Sequence, residues 1–330
     1  MCSIYGSMAT AVKLLRCQNR NISPLDNIRS YIYYSGLLLN AFLAYRRTYR
    51  NYFSICRHIL RREYPVDTIL RNGGNVRLYD HSQVSSVALL QGHNDVEYDI
   101  ANDTVTVPLL PYNSDRKIKV KLHGGISNGD VVNIFLQNYV YHALPVKGKV
   151  VVDIGTNIGD SPIYFALSGA EKIIGLEPYP KNYEIARKNV ELNNLSEKIT
   201  ILLAGCSSGI GYTFLDPAYT SGDSRLIDNF KNGIRIPLLT LEDLLKQYNL
   251  WHTRSILKMD CEGCEYETIL SSTDDILQKF SHIQIEYHYG YKNLKERLEG
   301  SGFNVSVTKP MIDLSYNPRR IIGYIYAVRK

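Results

Sequence analysis

The sequence lacks the features that mark a secreted, fibrous or membrane-spanning chain. Its 330 residues hold one Trp, four Met, twelve Pro and six Cys. The cysteines are scattered, without the dense framework of a small disulfide-stapled domain, so a reducing cytoplasm is the expected setting. The longest apolar run, Tyr31 to Tyr45, contains Ser35, Gly36 and Asn40 and is closed by Arg46 and Arg47. It is shorter than the roughly twenty residues a bilayer crossing needs. Residues 1–15 lack both a continuous apolar core and a cleavage site, so no signal peptide is expected. There is no internal repeat and no low-complexity segment. What remains is an ordinary globular composition, 45% hydrophobic and 21% charged, with length for one large domain plus an extension.

Charge is unevenly spread. Residues 1–75 carry eleven Lys and Arg against three acids, a net of +8, whereas the whole chain is only +6. The basic surface therefore belongs to the N-terminal segment, where docking on the core, a membrane surface, nucleic acid and self-association are all open. Helical spacing over 25–64 ends at Tyr64-Pro65. From 67 to 125 short alternating runs (Asn75–Tyr79, Val84–Leu90, Val96–Ile100, Thr104–Leu109, Lys117–Leu122) predict a small antiparallel sheet, with Asn102-Asp103 as a hairpin turn. Asp130 is expected to cap a helix reaching about His142. Beyond it, strands at 149–154, 172–177, 198–204, 255–260 and 282–288 alternate with helices at 162–168, 180–193, 241–248 and 264–270, as a parallel sheet requires. Thr240 and Asp243 have capping-box spacing, and a final strand pair is expected at 303–308 and 320–328. The organisation is thus a basic, Tyr-rich helical segment (1–66), a small β region packing on the core (67–129) and a main domain (130–330).

The most informative segment is Val151 to Asp160, VVDIGTNIGD. It is an apolar strand entering a glycine turn and then a helix, the cradle of nucleotide-type ligands. A pyrophosphate ligand needs backbone N–H groups and no nearby carboxylate. Here Asp153 ends the strand, Asp160 opens the helix, and Asn157 replaces the middle glycine. That pattern suits a phosphate-free ligand with a cationic end, and S-adenosylmethionine is one. Glu177, at the tip of the next strand, stands where such folds bind ribose hydroxyls. A second cluster lies on strand 255–260, where alternation puts Lys258 and Asp260 on one face, followed by Glu262 and Glu265. Near the carboxyl end of a central strand this pair sits where open sheets bind ligands, with a salt bridge that satisfies both charges as the alternative. Strand 282–288 adds Gln284, Glu286 and His288 on one face, expensive in an internal strand unless paired or bound. Cys261-x-x-Cys264 has the spacing of half a zinc site or a redox pair, but no second pair follows.

Val151–Asp160, Glu177-Pro178 and especially the run LKMDCEGCE (Leu257–Glu265) resemble the FkbM family of S-adenosylmethionine-dependent methyltransferases, in an archaeal-like version, over roughly 130–330. The resemblance implies an α/β, Rossmann-like class I methyltransferase fold, a doubly wound sheet of seven strands with the last antiparallel, here bearing N-terminal helical and small β extensions. It implies methyl transfer to a hydroxyl of a sugar, glycan or small metabolite. Asp153, Gly155, Thr156, Asn157, Gly159, Asp160, Glu177, Pro178, Ala204 and Asp260 are then the expected cofactor-binding residues. Asp260, Glu262, His288, Lys258 and Glu286 are expected at the acceptor, with Asp260, Glu262 or His288 as general base. Cys261 and Cys264 fill variable positions of the motif and are expected to be packing residues. No metal is expected, with a divalent ion on Asp260 and Glu286 as an alternative. Asp216-Pro217-Ala218-Tyr219 resembles the motif by which amino methyltransferases grip nitrogen, but it is not at the end of strand four. RNA or amino-group methylation, and a non-catalytic adenosine-ligand binder, are the competing functions.

Overall fold

The computed structural model describes residues 24–61, 63–128, 130–136, 141–215, 233–313 and 320–330. Residues 1–23 of the basic segment, the end of the helix expected to reach His142, the Asp216–Tyr219 motif and Pro318 lie outside these residues, wholly or in part.

The main sheet has the order β14-β16-β13-β12-β6-β7-β8, built from β6 (Val150–Ile154), β7 (Lys172–Leu176), β8 (Ile199–Leu202), β12 (Ser255–Met259), β13 (Phe280–Tyr287), β14 (Phe303–Val307) and β16 (Arg320–Arg329). Neighbours from β8 to β13 are parallel, and β16 runs antiparallel between β13 and β14. This is the expected seven-stranded Rossmann-like arrangement, with β15 (Met311–Asp313) added against β16. The central strands are mostly apolar because both faces are covered, with Asp153 and Lys258 as buried charges among them. β12 is buried at every position. Ile256 joins one apolar cluster while Leu257 and Met259 join the other, so strand alternation sorts the two layers.

Helices α5 (Asp160–Leu167), α6 (Pro180–Leu192), α7 (Leu241–Gln247), α8 (Cys264–Ser271), α9 (Asp274–Leu277) and α10 (Lys292–Gly300) connect the strands. Thr240 and Asp243 form the capping box at α7. A side sheet of β9 (Gly205–Cys206), β10 (Gly211–Leu215) and β11 (Ile234–Leu239), unforeseen in the sequence, follows β8.

The N-terminal half departs further from expectation. The helical stretch is broken into α1 (Pro24–Thr48) and α2 (Tyr52–Arg61) where Tyr49 forms a bridge with Leu70. Instead of one small sheet there are two. β1 (Val66–Ile69) pairs with β2 (Asn75–Leu78), and β3 (Glu97–Asp99), β4 (Thr104–Leu109) and β5 (Ile118–His123) form a separate meander. Val84–Leu90, expected as a strand, lies in helix α3 (His81–Leu90), because Asp80 accepts from the Gln83 N–H as an N-cap. Burial of Val84, Val87 and Ala88 follows helical spacing. Nor does Asp130 cap a helix to His142. The chain instead makes a short helix α4 (Gly125–Asn128) and a π-turn at Val132–Leu136. The cap of α4 comes from far away in sequence, since Asp103 Oδ1 accepts from Ile126 and Ser127 N–H at 2.9 and 3.0 Å.

A single apolar cluster runs from Tyr45 and Leu78 through Val105 and Leu122 to Val151, Ile163 and Ile173, so the N-terminal layers share the core of one sheet face. Asn189 of α6 and Asn193, the residue at its C-terminal cap, zip β5 to that face. Asn193 bonds both backbone groups of Lys121. Asn189 bonds the His123 N–H at 2.8 Å, the His123 carbonyl at 3.0 Å and the Ile158 carbonyl at 2.8 Å. Asn189 is fully buried, and replacing it strands three backbone groups. We expect Asn189→Ala to lower the unfolding free energy by about 3 kcal/mol in urea titration. A loss below about 0.5 kcal/mol would show that water substitutes for the amide.

Candidate active site

The site forms where β6, β12 and β13 end. The turn after β6 places Gly155, Asn157 and Gly159 at φ of 86°, 48° and 86°, backbone that glycine adopts freely and asparagine tolerates. A Cβ at Gly155 would lie 1.9 Å from the Asp260 carbonyl oxygen. The turn is therefore pressed against the tip of β12, and only glycine fits.

Lys258 locks this junction. Its amine is 3.0 Å from Asp153 Oδ1 and donates to the Gly155 carbonyl at 2.7 Å, with both side chains almost fully buried. Ser161 Oγ donates to Asp153 Oδ2 at 2.7 Å. Lys258, expected at the acceptor on the same strand face as Asp260, pairs with Asp153 of the neighbouring strand and holds the glycine turn. Its net effect is to neutralise Asp153 and fix the turn's backbone.

A polar chain continues across the turn. Asn157 donates to Asn128 Oδ1 at 2.9 Å and accepts from Asn182 Nδ2 at 3.0 Å. Asn128 donates to Asp160 Oδ2 at 2.6 Å. Glu177, at the tip of β7, accepts from the Asn157 N–H at 2.8 Å and the Tyr179 N–H at 3.0 Å. Burial raises its carboxyl to about 8 despite those bonds. Burial likewise raises Asp160 to about 6. Pro178 follows Glu177, and Ala204 is buried just beyond β8.

On the β12–β13 side, His288 is buried with Nδ1 3.0 Å from Oε1 of the fully buried Glu265. Its Nε2 lies 3.7 Å from Asp260 and 3.6 Å from Glu262. Burial alone would lower its pKa, but Glu265, Glu262 and Glu286 outweigh this and raise it to about 10. His288 is thus an imidazolium at neutral pH, held by one buried carboxylate and presented to two half-exposed ones. Arg320, from β16, forms an ion pair with Glu262. Glu286 is bonded to Tyr324, and burial with the nearby Asp260 raises its pKa.

Asp130 is the member the sequence did not flag. The residue is exposed, and the protein packed around it together with the charges of Asp160 and Asp260 raises its carboxyl above the ordinary range. The only sequence signal was its place in the Asn-Gly-Asp segment before the first core strand, which reads equally as a helix start. Asn128, Asn182, Arg320 and Tyr324 were missed for the same reason. Each arrives from an element distant in the chain.

The donor set fits a cationic ligand. Asp160 opens the helix after the glycine turn and Asp260 lies against it, with Asp130 electrostatically coupled to both, and Lys258 is committed to Asp153 and the turn. A sulfonium or ammonium group beside Asp160 would favour the ionised form of a carboxyl that burial raises to about 6. Asp260, Glu262 and His288 bring one ligand-type atom each within 4.8 Å of one another, a different grouping from Asp260 and Glu286. A divalent ion there would have to displace Arg320 from Glu262 and the proton from His288.

Cys261 and Cys264, expected as packing residues, are joined in a disulfide with Cα atoms 5.5 Å apart. The bond closes a ring around Glu262 and Gly263, both at positive φ. The strand-to-helix turn brings the two sulfurs together, which spacing alone left open.

Residues 153–304 match the profile of the methyltransferase FkbM domain. This segment is an FkbM methyltransferase domain. The FkbM domain therefore contains the glycine turn, Glu177 and the β12–β13 cluster, and its family uses S-adenosylmethionine. The ribosomal protein L11 methyltransferase of Carboxydothermus hydrogenoformans is 38% identical over 96 residues, 28% of this chain and 31% of that protein. The chain thus spans about a third of the length of that curated relative. The uncharacterized protein 158B of Sulfolobus islandicus rod-shaped virus 1 is 27% identical over 150 residues, 46% of this chain and 67% of that one. Among solved structures, the METTL16 methyltransferase domain superposes with a TM-score of 0.40 at 15% identity, covering 80% of this chain and 86% of that one.

Two outcomes follow from the buried charges. Lys258→Met leaves Asp153 unpaired in the core, and we expect a loss of about 3 to 5 kcal/mol in unfolding free energy. An unchanged stability would mean that Asp153 simply takes up a proton. The pH dependence has a definite sign. Asp160, Glu177 and His288 have folded pKa values of about 6, 8 and 10, above their ordinary 3.8, 4.5 and 6.5. Each binds its proton more tightly when folded. Its contribution is complete below the unfolded pKa and is lost as pH rises through the folded value. The ligand-free thermal midpoint should therefore fall between about pH 6 and about pH 9, and Glu177→Gln should flatten the fall below about pH 8. A midpoint that rises over this range would contradict the assignment.

Proposed function

We propose that the protein methylates a hydroxyl oxygen of a sugar, glycan or small metabolite, with S-adenosylmethionine as donor. The observation that carries this reading is the convergence of Asp260, Glu262, Glu286 and His288 beside the glycine turn of the FkbM domain. Bound there, the cofactor supplies an electrophilic methyl on a sulfonium. Asp153, Gly155, Thr156, Asn157, Gly159, Asp160, Glu177, Pro178 and Ala204 form its seat. Glu177 serves the ribose hydroxyls, and the carboxylates of Asp160 and Asp260 serve the cationic end.

The acceptor hydroxyl must lose a proton as it attacks. His288 is already protonated, so it positions and does not deprotonate. It holds Asp260 and Glu262 through charge, while Glu265 fixes the ring. Asp260, half-exposed at the tip of β12, is the base in this reading, and Glu286, whose carboxyl burial raises, stands behind it bonded to Tyr324. Holding the hydroxyl in line with the methyl supplies most of the remaining rate. The crowd of carboxylates disfavours a phosphate-rich acceptor at the reacting centre, so RNA is supported only by the basic N-terminal segment.

Calorimetric titration with S-adenosylhomocysteine, with NAD as control, tests the cofactor half of the proposal. Glu177→Ala should weaken S-adenosylhomocysteine binding by about tenfold or more. Asp260→Asn should lower turnover on a hydroxyl acceptor by about 10² to 10⁴ while leaving a measurable cofactor affinity. Full turnover in Asp260→Asn would remove it as base, and binding of neither nucleotide would remove the enzymatic reading.

A further inference from the structure

The helices before the FkbM domain present a surface that the catalytic reading does not use. Large apolar side chains are unusually bare there. Leu60 is 84% exposed, Phe53 69% and Ile32 68%, three of the four most exposed large apolar side chains among the described residues. They are not randomly placed. On α2, Phe53, Arg57, Leu60 and Arg61 share one face at spacings of four, seven and eight residues, and all four are exposed. On α1, Ile32, Leu39, Arg46 and Arg47 form a similar exposed stripe. The stripes meet where the Phe42 and Phe53 rings pack edge to face, 6.3 Å between centroids. Arg50 is exposed in the connection. The nearest described acid is Glu63, 4.0 Å from Arg61 at the end of α2.

We propose that this face docks on an anionic lipid surface. Apolar residues interleaved with arginines on exposed helix faces are the composition of an interfacial contact, in which the apolar side chains enter the headgroup boundary and the cations meet lipid phosphates. Each arginine near such a surface is attracted to its anionic headgroups, and the five act together to hold this face there. Among the described residues, no helix is long and apolar enough to span one. A second copy of the chain is a poor occupant, because pairing two such faces sets arginines against arginines. Nucleic acid would use the arginines but gains nothing from the aliphatic Ile32, Leu39 and Leu60. Helix α1 also packs against β15, which pairs with the strand that carries Arg320. The docked surface and the crevice are therefore linked through a single strand pair.

The test is sedimentation of the full-length protein with vesicles of phosphatidylcholine, alone or mixed with phosphatidylglycerol, at low and high salt. The expected result is binding to the mixed vesicles only, weakened by salt. Arg57→Glu/Arg61→Glu and Phe53→Ser/Leu60→Ser should each reduce it by about tenfold or more, while S-adenosylhomocysteine affinity stays unchanged and shows that the fold is intact. Equal binding to both vesicle types, or to neither, overturns the proposal. So does retention of single-stranded RNA through the same arginines without vesicle binding. A concentration-dependent dimer abolished by Phe53→Ser would assign the face to self-association. None of these outcomes bears on methyl transfer, which the calorimetry addresses separately.

Discussion

The buried Lys258 is the constraint around which the site is arranged. Asp153 ends β6 and Lys258 lies on the neighbouring β12, and neither charge has water to turn to. Their attraction holds two parallel strands in register at their carboxyl ends. The same amine captures the Gly155 carbonyl, so the glycine turn cannot lift away from Asp260. Everything downstream depends on that placement: the Asn128–Asn157–Asn182 chain, the Asn157 N–H on Glu177, and the position of Asp260 at the mouth of the crevice.

A second balance operates on the β13 side. Glu265 is fully buried and would be costly there without a partner. His288 supplies one, and in accepting a proton becomes the cation that gathers Asp260 and Glu262. Arg320 then takes the outer side of Glu262. Burial, with the charges of neighbouring carboxylates added to it, raises the carboxyls of Asp130 and Glu177 above the ordinary carboxylate range.

Much of the fold was legible because parallel strands are self-announcing. β6, β7, β12 and β13 are apolar runs ended by acids, each followed by helix signals, and their bounds lie within two residues of those expected. The capping box at Thr240 is equally local. The N-terminal half was harder. Asp80 converts an apparent strand into α3, and Asp103, from a hairpin turn, caps a helix more than twenty residues later. The break between α1 and α2 depends on Tyr49 finding Leu70. These are contacts between segments that no window of sequence contains together.

Sequence alone determined the cradle, the two functional strands and the family, because those rest on residue order within a few positions: glycines where the turn needs them, and alternation that puts Asp260, Glu286 and His288 on one side. Tertiary structure decided the partnerships. It gave Lys258 to Asp153 instead of Asp260, made His288 a cation through Glu265, brought Asp130 and Arg320 into the crevice, and closed the disulfide around Glu262. Ionisation and pairing depend on distance and burial in three dimensions, and a linear order of residues encodes neither until the chain has folded.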